Sequence, residues 1–166
     1  MPVRAAPLLA ALSRLCGDLL AETGADRVTV RLDRPDFGLR VDRVAAEALA
    51  PGVPALARDA SIDQRRLETI RWLDTHRIVL VQNDFGAAPF PPAALIEAYG
   101  VRAQILVPLG TCAPLPGWVS VHSCRERVWH PDDVRNAQTR SVAVAQLLGL
   151  DGGPDSGARI GASTQD

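Results

Sequence analysis

Polar side chains recur at alternate positions of three strand-like segments, where they could together bind a small molecule. They share one side of each segment: Thr29 and Arg31 in 26–32, Gln104 in 101–109, and Ser120 and His122 beside Trp118 in 116–123. Successive side chains of a strand point to opposite faces, so each set lies on a single face. Buried polar groups must bond to one another or face a ligand or water. If these faces coincide, the pattern predicts one polar set at the centre of a sheet, which is either bonded internally or open to a ligand or water.

Two residues of this set have the most definite chemistry. The guanidinium of Arg31 presents parallel N–H donors that match a carboxylate or another anion. The alternative for Arg31 is a solvated charge at a sheet edge. For His122 we expect a structural hydrogen bond rather than metal or haem ligation, because no second ligand stands at a usable spacing.

Composition and motifs indicate neither catalysis nor nucleic-acid binding. The formal net charge of the 166 residues is −1, which lacks the basic excess of nucleic-acid-binding proteins. Three cysteines, Cys16, Cys112 and Cys124, form no C-x-x-C pair, and an odd number without metal spacing is typical of a reducing cytoplasm. The glycines fit no phosphate-binding loop, and no apolar run reaches membrane-spanning length. We expect a cytoplasmic protein that is not an enzyme and has no nucleic-acid or membrane partner.

Amphipathic helices are predicted at both ends of the chain. Leucines repeat at i, i+4, i+7 and i+11 in the first helix, at Leu8, Leu12, Leu15 and Leu19. Gly24 suits the left-handed position that often ends a helix. The last helix begins at Pro131-Asp132-Asp133, and its apolar stripe runs from Val134 to Leu148 with smaller residues.

Strands, turns and shorter helices are predicted between these ends. The expected strands are about 26–33, 39–47, 78–82, 101–109 and 116–123, with a turn at 35–38 and helices near 63–76 and 92–99. Residues 1–150 are expected to form one domain. Residues 151–166 are small and polar, which is typical of a disordered tail.

The order of these elements resembles the GAF domain family of small-molecule sensor modules. The resemblance rests on the hairpin 101–123, the helix start at 129–133 and the buried strand 78–81 running into Gln82-Asn83-Asp84, and it covers roughly residues 5–150. It implies an α+β, PAS-related fold with a central antiparallel six-stranded sheet, terminal helices on one face and a ligand pocket on the other.

The resemblance also implies how the pocket is closed. Middle helices and loops roof the ligand site in this family, which adds aromatic and acidic candidates to the sheet residues. The expected ligand-binding set is Arg31, Gln104, Ser120, His122, Trp118, Asp84, Phe85 and Tyr99, with Trp72, Asn83 and Phe90 as further parts of the roof.

Three functional interpretations follow. The first is a stand-alone bacterial sensory or regulatory GAF domain that binds a small molecule and signals to a protein partner through its terminal helices. The resemblance also implies that these helices pair in a homodimer. The second is a thiol enzyme like the free methionine-R-sulfoxide reductases, using Cys112 and Cys124; the absence of cysteine between Cys16 and Cys112 argues against it. The third is a dimerisation module with a collapsed pocket. The residue types leave the ligand and any cofactor open.

Overall fold

A computed structural model describes residues 5–57 and 59–150, within which a sheet carries helices on both faces. The expected tail, 151–166, lies outside the described residues. The elements in chain order are α1 (Ala5–Thr23), β1 (Arg27–Leu32), β2 (Val44–Leu49), α2 (Glu68–His76), β3 (Leu80–Gln82), α3 (Ala93–Glu97), β4 (Ala103–Leu109), β5 (Gly117–Ser123) and α4 (Pro131–Leu147). Short 3₁₀ turns cover Pro35–Phe37 and Gln64–Arg66.

The sheet is antiparallel throughout, in the order β2-β1-β5-β4-β3. The described residues form five strands, so the sixth strand implied by the resemblance is not found there, while the α+β class is confirmed. The second strand starts at Val44 rather than near residue 39. Residues before it form a turn, because Leu39 donates its backbone N–H to Arg34 and Val41 donates to the Asp33 carboxylate.

The first and last helices cover one face of the sheet. Their core partners are the apolar residues at alternate positions of the central strands, including Val28 and Val30 in β1 and Val119 and Val121 in β5. Leu12 and Leu19 of α1 are fully buried in this core. No helix among the described residues is both long and apolar enough to cross a membrane.

The opposite face has an apolar half and a polar half. In the apolar half, Ile70 and Leu73 of α2 pack against Leu80, Leu106 and Trp118 of the sheet. In the polar half, β1 presents Arg27, Thr29 and Arg31, all buried. This alternation along β1 separates the helix-facing core from a wall of polar side chains on the other side.

The start of α4 is fixed by charge and by a reciprocal cap. His130 caps the helix through its side chain, and the Asp133 carboxylate accepts from the His130 backbone N–H at 3.0 Å. The same carboxylate accepts from Arg127 at 2.9 Å, and Arg127 donates to the Thr23 carbonyl at 3.0 Å. The end of α1 is thereby tied to the beginning of α4.

Candidate ligand-binding site

A cavity lies between the polar half of the sheet and the segments that cover it. The space open to the centres of water molecules is about 60 Å³. Its sheet wall consists of Thr29, Arg31, Gln104, Leu106, Trp118, Ser120 and His122. The cover contributes chiefly Leu56, Asp59, Leu67, Ile70, Leu95 and Tyr99, from α2, α3 and the segment before α2.

The structure brings six of the eight residues expected from the sequence around this cavity. Asp84 and Phe85 are not among them. Asp84 is exposed and accepts from the Gly86 N–H at 2.8 Å, as a turn-forming residue does. The loop after β3 starts away from the cavity, because Asn83 bonds through its carbonyl to Arg127 and through its side chain to Trp129. Phe90 is 49% exposed.

Arg31 is a buried cation whose side chain makes one hydrogen bond to the described part of the protein. Its side chain donates to the Val41 carbonyl at 2.9 Å, and the residue is 6% exposed. Within the described residues, no carboxylate lies within ion-pair distance of its guanidinium. Burial lowers the Arg31 pKa, and the carboxylates of Asp59 and Asp42 oppose that effect. The sequence alternative of a solvated edge charge is therefore wrong, because β1 is central and Arg31 is covered.

Arg27 lies on the same face and is not among the site residues predicted from the sequence. It is fully buried, donates to the Pro54 carbonyl and lies 3.6 Å from the Glu47 carboxylate. Glu47 also accepts from the backbone N–H of Leu56 at 2.8 Å. This Arg27–Glu47 pair ties the covering loop to the sheet. The two-residue period through Thr29 and Arg31 was the signal that places Arg27 there.

His122 is neutral and has a defined proton position. Burial lowers its pKa to about 3, with the charges of Arg27 and Arg31 acting in the same direction. Its Nδ1 lies 3.4 Å from Arg27 Nη1, and a guanidinium can only donate, so Nδ1 accepts and Nε2 carries the proton. Within the described residues Nε2 has no hydrogen-bond partner, although His122 lines the cavity.

Other polar groups on the wall differ in how far the protein satisfies them. Gln104 donates to the Gln82 side chain at 2.8 Å, and Gln82 donates to the Pro89 carbonyl at 2.8 Å. The hydroxyls of Thr29 and Ser120 line the cavity but make no hydrogen bond within the part of the chain that is described. The wall therefore presents two unbonded hydroxyls next to the side-chain amides of Gln104 and Gln82, whose orientation is fixed by hydrogen bonds.

Tyr99 and Asp59 join two segments of the cover. The Tyr99 hydroxyl donates to Asp59 at 2.8 Å, and the Tyr99 ring centroid lies 5.5 Å from the Arg27 guanidinium carbon. Hydrogen bonds from Ser61, together with that from Tyr99, lower the Asp59 pKa to about 2. Asp59 is thus a fixed negative charge beside the cavity at neutral pH.

Solved structures with the same architecture cover nearly the whole chain. The blue-light-absorbing form of the PixJ GAF domain of Thermosynechococcus elongatus aligns over 90% of this chain and 92% of its own, at 23% identity and a TM-score of 0.67. The GAF domain of a phosphoenolpyruvate-protein phosphotransferase of Coxiella burnetii aligns over 86% and 82%, at 12% identity and a TM-score of 0.67. This chain has the GAF-domain fold. No family model and no curated protein matches the sequence.

One neighbour with the GAF fold is an enzyme, which makes the cysteines of this chain relevant. The type II free methionine-R-sulfoxide reductase of Thermoplasma acidophilum aligns over 87% of this chain and 94% of its own, at 13% identity and a TM-score of 0.64. Here burial raises the pKa of Cys16 to about 12, and burial together with Asp26 raises that of Cys124. Cys112 is exposed. Raised pKa values disfavour the reactive thiolate at two of the three positions.

Proposed function

We propose that this GAF domain is a sensory module that binds a small molecule in the cavity and reports its presence through the terminal helices. The observation that carries the proposal is the set of polar groups that face the cavity, Arg31, Thr29, Ser120 and His122, to which the described protein atoms leave hydrogen-bonding capacity. Their unbonded atoms are open to the cavity rather than sealed in the core, so a polar ligand that enters can bond to them. The proposal assigns no catalytic role to the thiols.

The sheet supplies a short connection from ligand to helices. Thr29 and Ser120 face each other across β1 and β5, and both line the cavity. Their sequence neighbours Val28, Val119 and Val121 point the other way into the core beneath α1 and α4. A small displacement of these strands by a ligand changes the packing of both helices, because protein cores are close-packed. A partner bound to the helices can then detect the change.

Thermal unfolding with a panel of metabolites tests this function. A ligand that binds the folded domain alone raises its stability by RT ln(1 + [L]/Kd), about 2.7 kcal/mol at one hundred times Kd. Ser120→Leu fills the cavity and should abolish the rise in Tm. Ser13→Leu makes the same change at an exposed position of α1 and should preserve it. If no compound raises the Tm, or if Ser120→Leu responds like the unaltered protein, the sensory proposal is wrong.

A further inference from the structure

Among the described residues, Arg31 is a cation on the cavity wall that forms no ion pair. Arg27 has Glu47 as its ion-pair partner, and His122 is neutral above its pKa of about 3. Asp59 is held by Ser61 and Tyr99, and it reaches Arg31 only as a more distant charge. A guanidinium has five N–H donors, and the described protein atoms accept one hydrogen bond from Arg31. A negatively charged ligand group is the natural partner for the remaining donors.

The same charges favour an anion with a single negative charge. Three carboxylates, those of Asp59, Asp42 and Glu47, oppose the lowering of the Arg31 pKa by burial, and Asp59 itself lines the cavity. A dianion such as phosphate would be repelled by all three, with one cation outside an ion pair to compensate. A carboxylate carries one charge, and its two oxygens match the parallel donors of a guanidinium.

The cavity volume sets the size of the ligand. The cavity volume is about 60 Å³. One water molecule requires roughly 10–15 Å³, so the cavity holds about four to six groups of that size. Small carboxylates of three carbon atoms fall within this range. The apolar part of the lining, with Leu106, Ile70 and Leu95, accommodates a short hydrocarbon end.

A second polar group is indicated next to the carboxylate. Arg31 pairs with Trp118 across β1 and β5, and the next position on the same face is the pair Thr29 and Ser120. That pair lies about 6.6 Å further along the strands, which is twice the rise per residue, and it lines the same cavity as Arg31. The two free hydroxyls can donate to or accept from a ligand oxygen on the carbon next to the carboxylate. The Nε2–H of His122 lies beyond them and can donate to the same oxygen.

We propose that the ligand is a compact 2-hydroxy or 2-oxo monocarboxylate, bound by its carboxylate to Arg31 and by its second oxygen to Ser120 and Thr29. This inference rests on the proposed function and specifies the class of ligand that the cavity accepts. L-lactate and pyruvate are the probes, because each has six non-hydrogen atoms and one negative charge. Propionate lacks the second oxygen, and lactamide lacks the charge.

Calorimetric titration of the full chain with these probes tests the ligand class. Lactate or pyruvate should bind about tenfold or more tightly than propionate and lactamide. Propionate cannot make the hydrogen bond to the second oxygen, and lactamide cannot form the ion pair with Arg31. Arg31→Met should abolish binding of both probes. The control Arg71→Met removes a positive charge from the exposed face of α2 and should leave the affinity unchanged. Ser120→Ala should bring the affinity for lactate close to that for propionate.

Two further results distinguish the ligand class from the function itself. If Arg31→Met does not fold, Arg31→Lys is the alternative. It keeps the positive charge but lacks the two parallel N–H donors of the guanidinium, and it should still weaken lactate binding about tenfold. Equal binding of lactate and lactamide, or tighter binding of inorganic phosphate, overturns the carboxylate proposal. If another compound of the metabolite panel binds and Ser120→Leu abolishes that binding, the sensory function stands without this ligand class. If no compound binds, both proposals fail.

Discussion

At the scale of single residues, the cavity depends on a polar row that crosses four strands. Arg27 pairs in register with His122, His122 with Gln104, and Gln104 with Gln82. Their side chains are joined by hydrogen bonds from Arg27 to His122 and from Gln104 to Gln82. These two bonds orient their members, although Arg27 Nε is buried without a hydrogen-bond partner, and the unbonded Nε2 of His122 faces the cavity.

His122 should make stability depend on pH. Its pKa falls from 6.5 to about 3 on folding, so between these values the unfolded chain binds a proton that the folded protein excludes. Stability is therefore full above pH 6.5 and is lost as pH falls toward 3, by about 1.4 kcal/mol per pH unit. We expect His122→Gln to remove about 2 kcal/mol of the stability difference between pH 7.5 and 5. Urea unfolding at the two pH values measures it.

The matched control for this prediction is His76→Gln. His76 is exposed at the end of α2, where its ring bonds to the Trp72 carbonyl. The same exchange at this exposed position provides the comparison from which the contribution of the buried imidazole is obtained. An unchanged pH dependence in His122→Gln would show that His122 is protonated in the folded state, contrary to its buried position.

The sequence was sufficient to find site residues within regular strands and insufficient elsewhere. Alternation placed Arg31, Gln104, Ser120 and His122 on one face, because the period of a strand is independent of tertiary contacts. Asp59 was not predicted as a site residue. Its position at the cavity depends on a loop that is held by hydrogen bonds from residues far away in sequence, such as the one from Tyr99. Asp84 was misplaced for the same reason, since side chains elsewhere decide the course of its loop.

At the scale of elements, β1 and β5 approach so closely that one position excludes any side chain. A Cβ atom on Gly117 would lie 2.1 Å from the Arg31 carbonyl oxygen. Gly117→Ala must therefore push β5 away from β1, and we expect it to destabilise the fold by about 1–3 kcal/mol. It should also weaken ligand binding, since Arg31 moves with its strand. Chemical denaturation and calorimetric titration measure the two effects.

Gly17→Ala is the control for this prediction. Gly17 is exposed within α1 at the outer groove described below, and in the single chain a Cβ there would meet no atom within 4 Å. Alanine is the better helix former, so in the monomer this variant should gain about 0.5–1 kcal/mol in stability, and it should bind ligand normally. Equal stability of the two variants would contradict the close strand contact.

Element types were easier to predict than element limits. The terminal helices, β1 and the hairpin of β4 and β5 follow from strong periodicity and Gly or Pro boundaries. β2 begins five residues later than expected, at Val44 rather than 39. Leu39 and Val41 are residue types typical of strands, but here they lie in the turn before β2 with their side chains buried. Composition alone does not distinguish an apolar strand from a buried turn.

At the scale of the whole molecule, α1 and α4 leave an apolar groove on their outer side. Its apolar residues include Leu15 and Leu147, of which Leu147 is 51% exposed, and its rim carries polar and charged groups. The full lining is Ala11, Arg14, Leu15, Gly17, Asp18, Ala143, Gln146 and Leu147. We propose that two copies of the chain pair through it, since self-complementary pairing is the commonest arrangement in soluble oligomers. Leu12 does not take part, because it is fully buried in its own core, so Leu12→Glu should prevent folding.

Sedimentation equilibrium measures this pairing. The unaltered chain should sediment as a dimer of the 17.7 kDa subunit, and Leu147→Glu should sediment as a folded monomer. Val142→Glu places the same charge at a residue of α4 that is 55% exposed and lines a different surface, so it should remain a dimer. A mass of one subunit for the unaltered chain at micromolar concentration would end the proposal.

The position of β1 between β2 and β5 governs when the cavity can exist during synthesis. β2 follows β1 closely, but Arg27 and His122 are 95 residues apart. Until β5 has left the ribosome, one edge of β1 has no partner, and Arg27, Thr29 and Arg31 face water rather than a cavity. An unfinished chain therefore cannot respond to ligand. Its open strand edge can also pair with the strands of other chains, so aggregation is favoured until β5 is in place.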